Sequence, residues 1–417
     1  MNKRMDRSKL MIGTYILKPY ARTEQHIKDL ADCGINFVTY MDYDKKTLDL
    51  FEKYNIGASV NNILPSWWGG DGEKAGQMEK INPFEKYVEA AKGFVDHPAI
   101  WSIDVGDEPS ALDFPYYTKI IDFTNRAFEN QFSYLNLYPN YASVVENTGN
   151  EVICQLGTRT YREHIEKYCE NIPLDYICYD FYMYSGDENF TAADVGNAYD
   201  NLKTVADACR STGRSMWIVL QVNSKFPDRF TTTNQLRFQA YSAMAFGAES
   251  IIWACWTAGW WNNQVLNANG EKTEQYEKLK TVNRELHSIG EQYMKYRCVS
   301  THFVGFEEEH KDLHLLTQKP IKKLNTGIFF DVQEKSGAPL VIGQMVSREN
   351  DGSYALMICA ADDPRDKNNG NNTVTFRTNS RSARLCTADG VKPLTADENG
   401  YFSFPLSSCH GALIIAE

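Results

Sequence analysis

The chain holds 417 residues, of which 43% are hydrophobic and 23% charged, with 27 Gly and 14 Pro. That length exceeds one ordinary core of about 100–150 residues, and the balance excludes a disordered chain, a coiled coil and a collagen-like fibre. A net charge of −11 leaves no basic footprint for DNA or RNA, and it disfavours an anionic membrane or a polyphosphate as partner.

The N-terminus opens with basic residues and then reads Leu10-Met11-Ile12-Gly13-Thr14-Tyr15-Ile16-Leu17. Gly and Thr interrupt this apolar run and no small-residue cleavage site follows, so it reads as a first strand. The chain is expected to be cytoplasmic, or a mature form from which a signal has been cut. No run reaches the ~18 apolar residues needed to span a bilayer, and no membrane-spanning segment is expected. Seven further β-rich runs follow: Ile35–Met41, Ile56–Asn61, Ile100–Val105, Phe132–Leu137, Tyr176–Phe181, Met216–Val222 and Ser250–Trp256. Their starts lie about 20 to 45 residues apart, the length of a strand, a helix and two loops. Strict polar–apolar alternation is missing, as suits a parallel sheet covered by helices on both faces.

The intervening segments read as helices. Thr23–Cys33 stops at Gly34, Asn82-Pro83 opens another, and Asn234–Phe246 stops at Gly247. Glu274–Tyr296 carries Leu279, Val282, Leu286 and Ile289 at helical spacing. Eight strand–helix units predict an α/β fold, a (β/α)8 TIM barrel over residues 1–298. From Val299 to Glu417 helical periodicity is lost. Short runs appear instead at Leu313–Thr317, Gly327–Asp331, Leu340–Ser347, Ala355–Ala360, Thr373–Phe376, Ala383–Cys386 and Ala412–Ala416. They predict a C-terminal antiparallel β-sandwich over residues 299–417.

Ten cysteines contain no CxxC pair and no zinc-ligand spacing, and several sit in apolar runs, so they are expected to be free and buried. No P-loop or GxGxxG follows any strand, and the Asp362–Asn372 loop lacks EF-hand spacing. No metal and no cofactor is expected. The oligomeric state is left open.

In such a barrel the chemistry lies where strands end, so the residues after each strand are the candidates. Strand four ends in Ile103-Asp104-Val105-Gly106-Asp107-Glu108-Pro109. Two adjacent acids at a strand end either cap the next helix or act on a ligand. Glu108 is the candidate general acid, since a cleft lined by aromatics raises a carboxyl toward neutrality. Strand six places Asp180 among Tyr179, Phe181 and Tyr182. It is either tied to backbone or an Arg, or it is a second carboxylate that activates water or binds a sugar hydroxyl. Tyr179 and Tyr182 are candidate hydrogen-bond partners for a sugar. Trp67 and Trp68 follow strand three, and Trp256, Trp260 and Trp261 follow strand eight, as candidate platforms for apolar sugar faces. Asn61, Asn136, Asn140, Gln221 and Asn223 add neutral hydrogen-bonding groups at the rim. Aromatics beside amides suit a neutral carbohydrate substrate. A gap of about 5–5.5 Å between Glu108 and Asp180 would suit retention of configuration, and roughly 6.5–9.5 Å inversion.

A barrel followed by a β-sandwich, with a glutamate just past strand four, resembles the glycoside hydrolases of clan A. Members of that clan usually carry Asn-Glu-Pro at this point. The Asp107-Glu108-Pro109 found here is similar instead to glycoside hydrolase families 20 and 123, the hexosaminidases. In those enzymes the Glu is the acid, and the Asp orients the 2-acetamido group of the substrate, itself the nucleophile. The resemblance therefore implies Glu108 as acid and Asp107 as orienter, on a neutral or N-acetylated glycan. Retaining clan A enzymes also place a nucleophilic glutamate at the end of strand seven, where this chain has Gln221. A substrate-assisted enzyme would show that, and so would an inverting or an inactive one. The alternatives are a β-galactosidase-like clan A relative using Asp180 as second carboxylate, and a carbohydrate-binding pseudoenzyme.

Overall fold

Strand and helix alternate through the first two thirds of the chain because its apolar runs have two buried faces. The computed structural model describes residues 4–61, 75–185, 192–306, 319–364 and 370–417. Eight strands form the centre: β1 (Met11–Tyr15), β2 (Phe37–Met41), β3 (Gly57–Val60), β4 (Ile100–Asp107), β5 (Phe132–Leu137), β6 (Tyr176–Phe181), β7 (Ser215–Gln221) and β8 (Ala248–Ala254). Neighbours in sequence pair in parallel, and β8 returns to β1 with Gly13 opposite Ile252, which closes the barrel. Glycine is required at that point, since a Cβ on Gly13 would sit 3.2 Å from the side chains of Ile252 and Phe37. Inside, Phe132, Tyr176 and Trp217 stack into one layer, with Tyr176 and Trp217 ring centroids 3.9 Å apart.

The covering helices carry their stop and start signals in the sequence. Thr232 caps the helix Thr233–Phe246 by accepting the Gln235 amide at 3.1 Å, while Gln235 returns the bond to the Thr232 amide at 2.8 Å. Gly247 ends it in the left-handed region, φ 103°. The helix Glu274–Tyr293 stops three residues short of the expected Tyr296, because the next segment is a strand.

That strand, β9 (Tyr296–Val304), begins an antiparallel region with β10 (Phe329–Glu334), β11 (Leu340–Ser347), β12 (Tyr354–Ala360), β13 (Asn371–Thr378), β14 (Ala383–Thr387), β15 (Gly390–Pro393), β16 (Phe402–Ser407) and β17 (Gly411–Ala416). Six strands in the order β15-β14-β17-β12-β11-β9 face three in the order β10-β13-β16. Three of the strands, β9, β15 and β16, were not foreseen, and the expected Leu313–Thr317 lies outside the described residues. Period-two alternation explains how the larger sheet serves two cores. In β12 the side chains of Ala355, Met357 and Cys359 join the barrel core, while Leu356, Ile358 and Ala360 join Phe329, Phe376 and Phe404 between the sheets. The sheet lies directly on the helix Thr233–Phe246: a Cβ on Gly343 would fall 2.2 Å from the Ala245 carbonyl oxygen, and one on Gly411 2.2 Å from the Tyr241 ring. All ten cysteines are free. No helix among the described residues is long and apolar enough to cross a membrane.

Candidate active site

The site starts from an irregularity at the end of β4. Its pairing with β5 slips between Asp104 and Gly106, so one residue bulges and Asp107 comes opposite Asn136. Gly106 allows this, since a Cβ there would lie 2.5 Å from the Tyr117 ring. Glu108 then enters the left-handed region, φ 49°, while its amide donates to the Asn136 carbonyl at 2.8 Å. On a regular strand Glu108 would face away from Asp107. The left-handed turn brings both carboxyls to one cavity.

Asn136 organises that cavity. Its single Nδ2 donates to Asp107 Oδ1 at 3.0 Å and to Asp180 Oδ1 at 2.9 Å. Its Oδ1 accepts the Cys178 thiol at 3.4 Å, which fixes the amide orientation. Tyr40 Oη donates to Asp107 Oδ2 at 3.3 Å, and the Glu108 side chain hydrogen-bonds to Asp180. The cavity has a volume of about 450 Å³. Tyr15, Ile16, Tyr40, Tyr182 and Trp260 form its walls around Asp107, Glu108, Asn136 and Asp180. Tyr15 stacks on Tyr40 at 5.3 Å, and Trp260 meets Tyr15 edge-on at 6.1 Å.

Among the described residues no Lys, Arg or His lines this cavity. Burial pushes the Asp107 carboxyl up to about 6, against the hydrogen bonds from Asn136 and Tyr40. Burial and then the charge of Asp107 push Asp180 up to about 7, against the hydrogen bonds to Asn136 and Glu108. Asp180 is buried and Asp107 half-buried, and two such carboxyls with no cation beside them among the described residues hold a proton to higher pH than free ones do. The backbone around them is strained as well. Ile16, Tyr40, Glu108 and Trp261, all at strand ends or in loops at this mouth, have φ of 65°, 57°, 49° and 62°. Such values are uncommon outside Gly, Asn and Asp, and they gather where a site over-determines the chain.

Of the residues singled out from the sequence, Asp107, Glu108, Asp180, Tyr182 and Trp260 line the one cavity. Trp261 stands beside it, partly exposed, with its ring 5.2 Å from Tyr182. Asn61 follows β3 and is half-buried, and it does not reach the cavity. Trp67 lies outside the described residues.

Four expectations are corrected. Tyr179 alternates with Asp180 along β6, so it faces the helix layer, where its buried hydroxyl neighbours Tyr161. Gln221 is consumed by backbone: Oε1 accepts the Tyr184 amide at 2.9 Å and Nε2 donates to the Asn223 carbonyl at 3.0 Å. Asn140 is held by the helix Ala192–Thr212, donating from Nδ2 to Asn197 Oδ1 at 2.8 Å and from its amide to Asn201 Oδ1 at 2.7 Å. Trp256 is fully buried against Tyr276, and its amide donates to the Tyr15 carbonyl at 2.9 Å.

Tyr15, Ile16 and Tyr40 were not singled out. Their signal was the end of β1 and β2, where an aromatic two residues past Gly13 shares its inward face. Asn136 was seen only as a rim amide, and nothing in the sequence shows that it joins the two aspartates. Among the described residues no group of three or more His, Cys, Asp and Glu has an arrangement that holds a metal ion.

No protein-family model matches the sequence, and no curated protein matches it. Solved structures match in fold. A β-galactosidase from the psychrophilic Marinomonas ef1 superposes with a TM-score of 0.51 at 10% identity, over 70% of this chain and 63% of that one. The chain thus spans less than two thirds of that structure's length. An endo-β-1,4-mannanase from Thermotoga petrophila gives 0.45 at 10% identity, over 96% of this chain and 92% of that one. At such identity the first of these likenesses shows the barrel fold and nothing finer, and no argument rests on the second.

Proposed function

We propose that this chain is a glycoside hydrolase in which Glu108 is the general acid. The observation that carries the reading is the meeting of Asp107, Glu108 and Asp180 in one aromatic-walled cavity at the C-terminal ends of β4 and β6. Glu108 protonates the glycosidic oxygen, and the leaving group departs as an alcohol. Positive charge then grows at the anomeric carbon, where the buried carboxyls stabilise it.

For the second role the reading favours the substrate's own 2-acetamido group. Asp180, raised to about 7 by burial and by Asp107, is protonated much of the time at neutral pH and is then a poor base or nucleophile. Asp107, raised only to about 6, is the more ionised of the two. Fixed by Asn136 and Tyr40, it is placed to accept the acetamido N–H and aim the carbonyl oxygen at the anomeric carbon. The aglycone gains the proton from Glu108, and water later opens the cyclised intermediate with Glu108 as base. The substrate on this reading is a neutral or N-acetylated glycan. If plain glycosides turn over equally well, Asp180 takes the role of second carboxylate.

A panel of aryl glycosides, with and without a 2-acetamido group, tests this against wild type and Glu108→Gln. Wild type should turn over the acetamido members best. Glu108→Gln should lose about 10²–10⁴-fold on poor leaving groups and much less on good ones. A wild-type protein that binds sugar and hydrolyses nothing would be a carbohydrate-binding pseudoenzyme, and the proposal would fail.

A further inference from the structure

Aromatic residues make up 13% of the chain, yet among the described residues only Tyr20 and Tyr141 are exposed, at 37% and 50%. Both lie at the mouth of the barrel. Tyr20 follows β1, and its hydroxyl accepts the Ala258 amide at 3.0 Å from the loop after β8. Tyr141 follows β5. In a closed ring of eight strands β1 and β5 are diametrically opposed, so the two rings stand on opposite sides of the carboxyls.

Tyr141 is held as a platform. Its ring meets Phe181 at 5.3 Å and 63°, and its hydroxyl is bonded by the Tyr182 backbone amide. Tyr141 follows β5, which stands between β4 and β6, and the charges of Asp180 and Glu108 act on its hydroxyl. Tyr141 does not line the cavity itself. Tyr141 is therefore half exposed just beyond the cavity, with its ring packed against Phe181. A ring held that way at the rim of the carboxyl cavity offers a ligand an apolar stacking face.

We infer that the substrate runs across the mouth between Tyr20 and Tyr141, and that Tyr141 stacks the ring of the leaving group. The inference rests on the glycosidase reading above. Glu108 follows β4, the strand next to β5, and a general acid must touch the oxygen that departs. The ring attached to that oxygen falls on the side of Tyr141. The ring under attack sits in the cavity against Trp260, and Tyr20 supports what extends beyond it. The substrate is then an oligosaccharide or polysaccharide cut between sugar rings. A glycoside with a small aglycone would leave Tyr141 bare.

Two substrate types separate this from a structural role. Glycosyl fluorides have no leaving-group ring, whereas tetrasaccharides of glucose, galactose, mannose or N-acetylglucosamine, with either anomer, have one. Tyr141→Ala should lower kcat/KM on the tetrasaccharide that wild type accepts by about tenfold, with fluoride hydrolysis within about twofold. Tyr141→Phe keeps the ring and loses the bond to Tyr182, and it should behave like wild type on both. An equal loss on both substrates, or no loss on either, overturns the platform. So does turnover of fluorides by a wild-type protein that neither cuts nor binds any tetrasaccharide, and that result leaves the glycosidase reading standing. If wild type hydrolyses nothing, calorimetric binding of the same tetrasaccharides decides. Binding weakened about tenfold by Tyr141→Ala keeps Tyr141 as a sugar-stacking ring while its leaving-group role falls with the glycosidase reading, and unchanged or absent binding removes both.

Discussion

The mouth of the barrel and the seam between barrel and sandwich both bury ionisable side chains, and they treat them in opposite ways. At the seam, Arg237 and Glu285 come from two adjacent helices and pair through two bonds, Nε–Oε2 at 2.8 Å and Nη2–Oε1 at 2.6 Å. Their side chains are 13% and 6% exposed, and Tyr241 adds a longer bond to the same carboxylate. These two charges compensate each other in a bidentate geometry. At the mouth, Asp180 is 3% exposed and its partners are a neutral amide and other carboxyls. The seam compensates its charges and ties two barrel helices together. The mouth leaves its charges uncompensated and gains a proton held near neutral pH. Buried charge is evidence of chemistry only where its compensation is missing.

The largest expected effect tests the mouth as chemistry. Asp107→Ala should cut hydrolysis of 2-acetamido substrates by about 10²–10⁴-fold, the range of a positioned catalytic group. A thiazoline mimic of the cyclised intermediate should inhibit wild type, since such ligands bind far tighter than substrates. If kcat on acetamido and plain glycosides falls equally in Asp107→Ala, the internal nucleophile is wrong.

The next effect tests the seam as structure. Glu285→Ala leaves Arg237 buried without its partner and should cost ~3–5 kcal/mol in urea unfolding. Replacing both, with Arg237→Met and Glu285→Leu, should come close to wild type, because the pair repays little beyond its own desolvation. A single variant that unfolds within ~1 kcal/mol of wild type would show that the seam is not compensated in the way described.

The same contrast explains what the sequence made legible. Phe132–Leu137 and Tyr176–Phe181 are strands to the residue, because apolar runs between turn signals leave little choice. Glu108 and Asp180 were found because an acid at an apolar strand end has few places to stay wet. Tyr179 was misplaced although period two alone excludes it: Asp180 takes the inner face, so its neighbour cannot. Gln221, Asn140 and Trp256 were misplaced for another reason. Each sits near a strand end as expected, yet loops and helices that no local pattern reveals claim their polar groups and rings. The contact of Asp107, Asn136 and Asp180 joins three strands, and only the closed barrel brings them together. β9 was hidden because Tyr296 continues the helical spacing of the segment before it.

The smallest effect has the clearest sign. A free Asp ionises near pH 3.8, and Asp180 in the folded chain does so at about 7. Below pH ~4 both states hold the proton, and Asp180 contributes nothing to stability. Between pH ~4 and ~7 the folded state binds more protons than the unfolded one, so stability falls as pH rises. Above pH ~7 the cost is complete. Three pKa units correspond to ~4 kcal/mol, and closer to ~2 kcal/mol is recoverable from one member of a pair that shares its proton. Asp180→Asn keeps the shape and the acceptor for Asn136 Nδ2 but carries no charge. It should therefore be more stable than wild type at pH 8, by about 2 kcal/mol, and equal to it at pH 4. Thermal unfolding at the two pH values reads the difference. An Asn variant less stable than wild type at pH 8 would mean that Asp180 is compensated after all, and the contrast between mouth and seam would be lost.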